Sequence, residues 1–111
     1  SESFKVSAEV LAQCGAARRV VAVGTTSVRA LESAASLGVG SGRTRLFIHR
    51  PYDWKVVDLL MTNFHMPRTT LLMMIDAFVG PRWRTLYATA MREDYRMLSF
   101  GDAMLLDRSL N

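Results

Sequence analysis

Polar side chains that could bind or act on a substrate follow two apolar runs of this sequence. The segment 24–27, Gly-Thr-Thr-Ser, comes directly after the Val-rich run 19–23. A second polar segment, Thr-Asn-Phe-His-Met-Pro at 62–67, interrupts the stretch 55–72. Hydroxyls and backbone N–H groups at the start of a helix can hold a phosphate, a ribose or a carboxylate. An imidazole such as that of His65 can act as an acid or a base near neutral pH.

Neither segment carries a complete signature of a known site. Gly24–Ser27 lacks the spacing of a dinucleotide fingerprint and the Gly-Lys-Ser/Thr pair of a phosphate loop. Spacing alone therefore favours an ordinary capped turn between a strand and a helix. His65 lies between Phe64 and Met66, and a half-buried structural histidine explains it as well as a catalytic one. Asn63 can bind a base edge or hold the turn.

The charged residues leave further alternatives open. Arg29 and Glu32 are three apart on a predicted helix, and a solvated pair is favoured over the alternative in which Arg29 holds an anion and Glu32 a sugar hydroxyl. Asp58 and Asp76 lie in apolar segments, and Asp58 is the better functional candidate because it is nearer the Thr-Asn-Phe-His turn. Asp102 could accept hydrogen bonds from a sugar or an amine, or it could simply hold a turn.

Several classes of chemistry have no support in this sequence. Cys14 is the single cysteine, so an internal disulfide framework is excluded and a packing role in a reducing compartment is favoured. His49, His65 and Cys14 have no close ligand spacing, so no metal site is expected. There is no Gly-x-Ser-x-Gly elbow, no His-Glu-x-x-His and no Cys-x-x-Cys. We also expect no membrane segment, because every apolar run is too short or too charged.

The net charge of +4 and the calculated pI of about 9.8 are compatible with a polyanionic partner such as RNA. Twelve of the fourteen basic residues are arginines, whose planar forks suit phosphates. These arginines are spread along the chain, so the indication is weak.

Periodicity and turn residues predict alternating helices and strands. Helices are predicted from an N-cap at Ser7 to about Ala17, from a cap at Thr25, Thr26 or Ser27 to about Leu37, over 71–79 with Thr69 or Thr70 as cap, and after Gly80-Pro81. Strands are predicted at 19–23, 44–49, 54–60 and within 98–106, and residues 107–111 are expected to fray. This order indicates an α/β fold with a short, mainly parallel sheet and flanking helices.

Three stretches closely resemble one enzyme family, in the right order and over nearly the whole chain. They are VAVGTTSVRALESAA (21–35), KVVDLLMTNFHMPRTTLLMMIDAFVG (55–80) and YRMLSFGDAMLL (95–106). The family is the S-adenosylmethionine:tRNA ribosyltransferase-isomerases of queuosine biosynthesis, which are longer and add a β-barrel-like domain to an α/β catalytic domain. The resemblance implies that residues 1–111 are the carboxy-terminal part of the catalytic domain, without the β-barrel domain. It also implies that the amino-terminal part of the same enzyme is a partner.

The resemblance further implies a reaction in the cytoplasm on tRNA. The ribosyl moiety of S-adenosylmethionine would be transferred to 7-aminomethyl-7-deazaguanine in tRNA and isomerised, giving epoxyqueuosine. S-adenosylmethionine is then the donor substrate, and no separate cofactor is expected. The alternative is a non-catalytic nucleotide- or RNA-binding module or a truncated relative, and the 111 residues alone are expected to be inactive.

Residue roles carry over only at positions that match the family's motifs. The resemblance implies catalytic roles for His65 and Asp102. It implies substrate binding for Gly24, Thr25, Thr26, Arg29, Asn63 and Thr70.

Overall fold

The computed structural model describes residues 2–63, 70–93 and 103–110. Three predicted positions, His65, Thr69 and Asp102, lie outside the described residues. The elements are β1 (Glu2–Lys5), α1 (Ala8–Ala16), β2 (Val21–Val23), α2 (Thr25–Leu37), β3 (Ser41–Thr44), β4 (Leu59–Asn63), α3 (Thr70–Val79), α4 (Arg82–Arg92), β5 (Ala103–Asp107) and a 3-10 turn (Arg108–Leu110).

The strands form two small sheets. In one, β1 pairs antiparallel with β3. In the other, the order is β2-β4-β5, with β2 parallel to β4 and β4 antiparallel to β5. The α/β class predicted from the sequence is confirmed, but the sheet is mixed where a mainly parallel one was expected. A single crossover helix would return the chain parallel, whereas two consecutive helices, α3 and α4, separate β4 from β5.

Local signals account for most helix ends. Ser7 caps α1 as predicted, because its Oγ accepts the Val10 N–H at 3.1 Å. The hydroxyl cap predicted for α2 is wrong: its N-cap is Gly24, with φ of 89° and no side-chain cap bond. That positive φ favours glycine. The helix begins at the next residue, so Thr25 lies inside it. Gly80, with φ of 69°, separates α3 from α4 at the predicted boundary.

The core lies between the three-stranded sheet and the helices. Ala22, Leu60 and Leu106 are opposite one another on neighbouring strands, and all three are buried. They pack in one cluster with Val28 of α2 and Phe78 of α3, both fully buried. Each such side chain contributes roughly 1.5–3 kcal/mol when removed from water. The buried faces of α2 and α3 therefore fix where these helices start relative to the strand ends.

Two strands begin or end elsewhere than predicted. The predicted strand 44–49 is wrong, since β3 is Ser41–Thr44 and pairs with β1. The predicted strand 54–60 begins only at Leu59. Among the described residues, no helix is both long and apolar enough to cross a membrane.

Candidate functional site

The parallel pairing of β2 with β4 places Gly24 and Asn63, one from each polar segment, at the same edge of the sheet. Val23 of β2 is opposite Met61 of β4, and Gly24 donates its N–H to the Met61 carbonyl at 2.8 Å. Asn63 ends β4 at this edge and is exposed. In α/β folds the carboxyl ends of parallel strands are the usual place for a ligand. Among the described residues, none has an atom within 4 Å of a Cβ built on Gly24.

A cleft of about 280 Å³ brings two predicted residues together. Arg29 reaches it from the first turns of α2, and Thr70 reaches it from the first residue of α3. We call it the Arg29 cleft; its lining is Glu2, Arg29, Thr44, Arg45, Leu46, Phe47, Ile48, Thr70 and Met74. A neighbouring cavity of about 170 Å³ shares Glu2, Arg29 and Thr44 and adds Thr26. Three of the six predicted substrate-binding residues thus line two adjoining cavities.

Arg29 is held at this cleft by a carboxylate from β1. Its Nη1 donates to Glu2 Oε1 at 2.9 Å and to Glu2 Oε2 at 3.2 Å. The Arg29 side chain is 23% exposed and that of Glu2 is 61% exposed. A pair this exposed contributes little free energy. A ligand carboxylate or phosphate can therefore replace Glu2 at little cost.

Glu32 has a different role from the one favoured by the sequence. Its carboxylate is fully buried and accepts the Tyr52 hydroxyl at 2.9 Å. It also accepts three backbone N–H groups, from Lys55 at 3.0 Å, Val56 at 2.8 Å and Val57 at 3.0 Å. These donors compensate the cost of burying a charge. The predicted solvated Arg29–Glu32 pair is wrong, and so is contact of Glu32 with a sugar.

The buried position of Glu32 had a signal in the sequence. Glu32 follows Val28 by four residues, so both lie on the same face of α2. Val28 is fully buried, and the same helical periodicity puts Glu32 on the buried face. The partners of Glu32 were not predictable, because they are mostly backbone groups of 55–57.

Thr44 shapes one wall of the Arg29 cleft. Its Oγ1 accepts the Ser33 hydroxyl at 3.1 Å and the Leu46 N–H at 3.0 Å. These bonds fasten the segment that follows β3 against α2. Neither Ser33 nor Thr44 was a candidate from the sequence. They are 11 residues apart, and no sequence pattern predicts a hydrogen bond between two hydroxyls at that separation.

The structure gives Asp58 a structural role, although the sequence favoured it as a functional residue. Its Oδ2 accepts the Val20 N–H at 2.8 Å, and its Oδ1 accepts from Arg108 Nη2 at 3.3 Å. It precedes β4 and so lies at the opposite end of that strand from Asn63.

A second cleft, of about 420 Å³, contains the other aspartate. Asp76 accepts from Arg50 Nε at 2.6 Å and from Trp83 Nε1 at 2.8 Å. Arg84 lies over the Trp83 ring, with 5.5 Å from its Cζ to the ring centroid. The full lining is His49, Arg50, Leu72, Met73, Asp76, Trp83 and Arg84.

The structure describes the exposure of some of the remaining predicted residues. Thr25 is half-buried, and Thr26 and Thr70 are exposed. The structural setting of His65 and Asp102 lies outside the described residues. Within residues 2–63, 70–93 and 103–110, no three His, Cys, Asp or Glu side chains converge as metal ligands.

Sequence comparison identifies long relatives of this chain. One is the S-adenosylmethionine:tRNA ribosyltransferase-isomerase of Thermus thermophilus, 63% identical over 95 residues, which are 80% of this chain and 27% of the relative. That of Rubrobacter xylanophilus is 52% identical over 106 residues, covering 95% of this chain and 32% of the relative. The chain thus spans about a third or less of the length of these curated relatives.

The fold also matches a solved structure and a family profile. The crystal structure of S-adenosylmethionine tRNA ribosyltransferase from Thermotoga maritima superposes with a TM-score of 0.87 at 45% identity, covering 93% of this chain and 40% of that one. The profile described as "Queuosine biosynthesis protein" matches residues 1–106. On these matches, this chain belongs to the queuosine biosynthesis protein family.

Proposed function

We propose that these residues are the carboxy-terminal part of the α/β catalytic domain of a tRNA-modifying enzyme. The enzyme transfers the ribosyl moiety of S-adenosylmethionine to 7-aminomethyl-7-deazaguanine in tRNA and isomerises it, giving epoxyqueuosine. It works in the cytoplasm and uses S-adenosylmethionine as a donor substrate, with no separate cofactor. The support is the family of the chain and the printed names of its relatives.

One structural observation supports the Arg29 cleft as the place where the substrate binds. Arg29 and Thr70 come from two different motif stretches, and both line the Arg29 cleft. Arg29 supplies a cation for the carboxylate of the methionine moiety or for a tRNA phosphate. The hydroxyls of Thr26 and Thr70 supply donors and acceptors for a ribose. Gly24, the N-cap of α2, would let the substrate approach the backbone closely, since it carries no side chain.

We assign the proton-transfer chemistry to the two residues outside the described ranges. His65 would give a proton to the departing adenine or take one from the carbon next to the sulfonium, since an imidazole titrates near neutral pH. Asp102 would accept a hydrogen bond from a sugar hydroxyl or an amine. The position of His65 two residues after Asn63, which ends β4 at the ligand edge, supports its role.

The remaining catalytic groups come from the amino-terminal part of the enzyme. The curated relatives are roughly three to four times as long as the segment they share with this chain, which is 27% and 32% of their length. We therefore expect the 111 residues alone to release no adenine from S-adenosylmethionine. Measurable turnover by them alone would show that the site does not need a second part.

The decisive experiment measures adenine release by chromatography. This chain is joined to the amino-terminal part of a full-length relative and mixed with S-adenosylmethionine and tRNA carrying the modified base. Release is expected, and its absence from a folded, tRNA-binding protein would contradict the enzyme function. Binding of nucleotide or RNA without release would instead support the non-catalytic module.

The role of His65 is tested in the same assay. A His65→Ala variant should lose roughly 100-fold or more in turnover, as is usual when a general acid or base is removed. Undiminished turnover would exclude His65 from proton transfer.

A further inference from the structure

An extended segment, residues 43–50, exposes cations and rings on its outer side. Its inner side chains face the protein: Thr44 is bonded to Ser33, and Ile48 is 3% exposed. The alternate side chains are exposed, as the period of two in an extended chain requires. We call these four residues the outer strip: Arg43, Arg45, Phe47 and His49.

The outer strip connects the two clefts. Arg45 and Phe47 line the Arg29 cleft, and His49 lines the second cleft. Trp83 and Arg84 line the same second cleft as His49. A continuous path of basic and aromatic side chains therefore leads to the candidate substrate site.

Phe47 on this path is available for stacking. Phe47 is 47% exposed, although burying a phenylalanine normally stabilises a fold. Its ring centroid is 5.2 Å from that of His49, with the planes tilted by 57°. Aromatic rings bind bases of any sequence through their π-faces, and arginine forks bind the phosphates between them.

The spacing of the side chains on the outer strip favours single-stranded RNA as the ligand. Alternate residues of an extended chain are about 6.8 Å apart. That distance suits a single strand with bases spread apart, and recognition of RNA by proteins is concentrated on such unpaired bases. The strip holds no acidic residue. Asp76, in the second cleft, is already bonded to Arg50 and Trp83.

We propose that the outer strip, with Trp83 and Arg84, binds the single-stranded part of the RNA substrate. The arginines hold phosphates, Phe47 stacks on a base, and the target nucleotide is led into the Arg29 cleft. This inference rests on the proposed function and names the surface that meets RNA. A protein partner is the less favoured occupant, because cations outnumber large apolar side chains on the strip.

The test measures RNA binding by the 111-residue chain without S-adenosylmethionine. The probe is a short, unmodified, fluorescein-labelled single-stranded RNA, followed by anisotropy at several KCl concentrations. Arg45→Gln should lower the slope of log K against log salt by about 0.7, the value for one lost phosphate contact on a single strand. Phe47→Ala should weaken binding about tenfold and leave that slope unchanged.

Two control variants remove an arginine and a large apolar side chain elsewhere on the surface. Arg18→Gln removes an exposed arginine after α1. Met91→Ala removes a side chain of α4 that is 65% exposed. Both should bind RNA within about twofold of the unaltered chain, which is the scale of ordinary surface substitutions. Because all four positions are exposed, unfolding midpoints should be unchanged.

Two results would overturn the proposal. One is the absence of RNA binding by the unaltered chain, and the other is equal binding by the strip variants and the controls. Strip variants that keep RNA affinity but lose association with the amino-terminal part of a relative would identify a protein-packing surface instead. These measurements do not involve adenine release. Failure of the RNA-binding proposal can therefore be distinguished from failure of the enzymatic proposal.

Discussion

The Tyr52 hydroxyl donates a hydrogen bond to the buried Glu32 carboxylate at 2.9 Å, and this contact joins α2 to the segment that leads into β4. The same carboxylate receives the N–H groups of 55–57. The Glu32 carboxylate thus satisfies backbone N–H groups that would otherwise pair with a neighbouring strand. The stability of the fold should therefore depend strongly on Glu32.

Replacing Glu32 with glutamine should destabilise the protein strongly. The amide would place a donor against backbone donors and remove the charge they solvate. We expect a loss of roughly 3 kcal/mol in the free energy of unfolding, measured with urea. Glu9→Gln, at an exposed position of α1, should cost less than about 1 kcal/mol. Equal losses in the two variants would refute the anchoring role.

The Tyr52 contact should make stability fall at alkaline pH. Burial and the Glu32 carboxylate raise the pKa of the Tyr52 phenol above its ordinary value of 10.0. The folded state therefore favours the protonated phenol, so this contribution is fully present below pH 10 and is lost as pH rises further. Tyr52→Phe should cost about 1–2 kcal/mol at neutral pH. The gap between the two proteins should narrow above pH 10, and a constant gap in unfolding experiments would contradict the assignment.

Arg29 and Glu2 should have opposite effects on substrate binding. Arg29→Gln removes the cation and should raise the KM for S-adenosylmethionine or tRNA about tenfold or more in the completed enzyme. Glu2→Gln removes the competing carboxylate and should leave KM unchanged or lower it. An increase of KM in the Glu2 variant would mean that the ion pair itself is required. Steady-state adenine release at varied substrate concentrations distinguishes these outcomes.

Asp58 should matter for stability and not for the reaction. Asp58→Asn weakens bonds to Val20 and Arg108 at the end of the sheet away from the Arg29 cleft. We expect a loss of about 1 kcal/mol in unfolding, because Asp58 is partly exposed. KM and the rate of adenine release should match those of the unaltered protein. A selective fall in rate would instead support Asp58 as a functional residue, for which the sequence preferred it to Asp76.

The sequence predicted the helices well because their ends carry local signals. The Ser7 cap and the Gly80 break depend on neighbouring residues alone, and both are confirmed. The strands were less predictable. Residues 55–57 have a strand-like composition, yet their N–H groups bond to Glu32 and β4 begins only at Leu59.

The candidate site was only partly readable from the sequence. The resemblance selected Arg29 and Thr70, and the structure brings both to one cleft. Glu2, which pairs with Arg29, lies on β1 and had no signal. Contacts of this kind depend on how β1 pairs with β3, a long-range choice that periodicity does not encode.

The burial of Glu32 also sets the rotational position of α2. Arg29 and Glu32 are about one turn apart, so the helix cannot rotate on its axis without pulling the buried Glu32 carboxylate away from its hydrogen-bond donors. Arg29 therefore projects from its helix in one fixed direction. An anion that reaches it meets a cation whose backbone is already ordered, and little further ordering entropy is lost on binding.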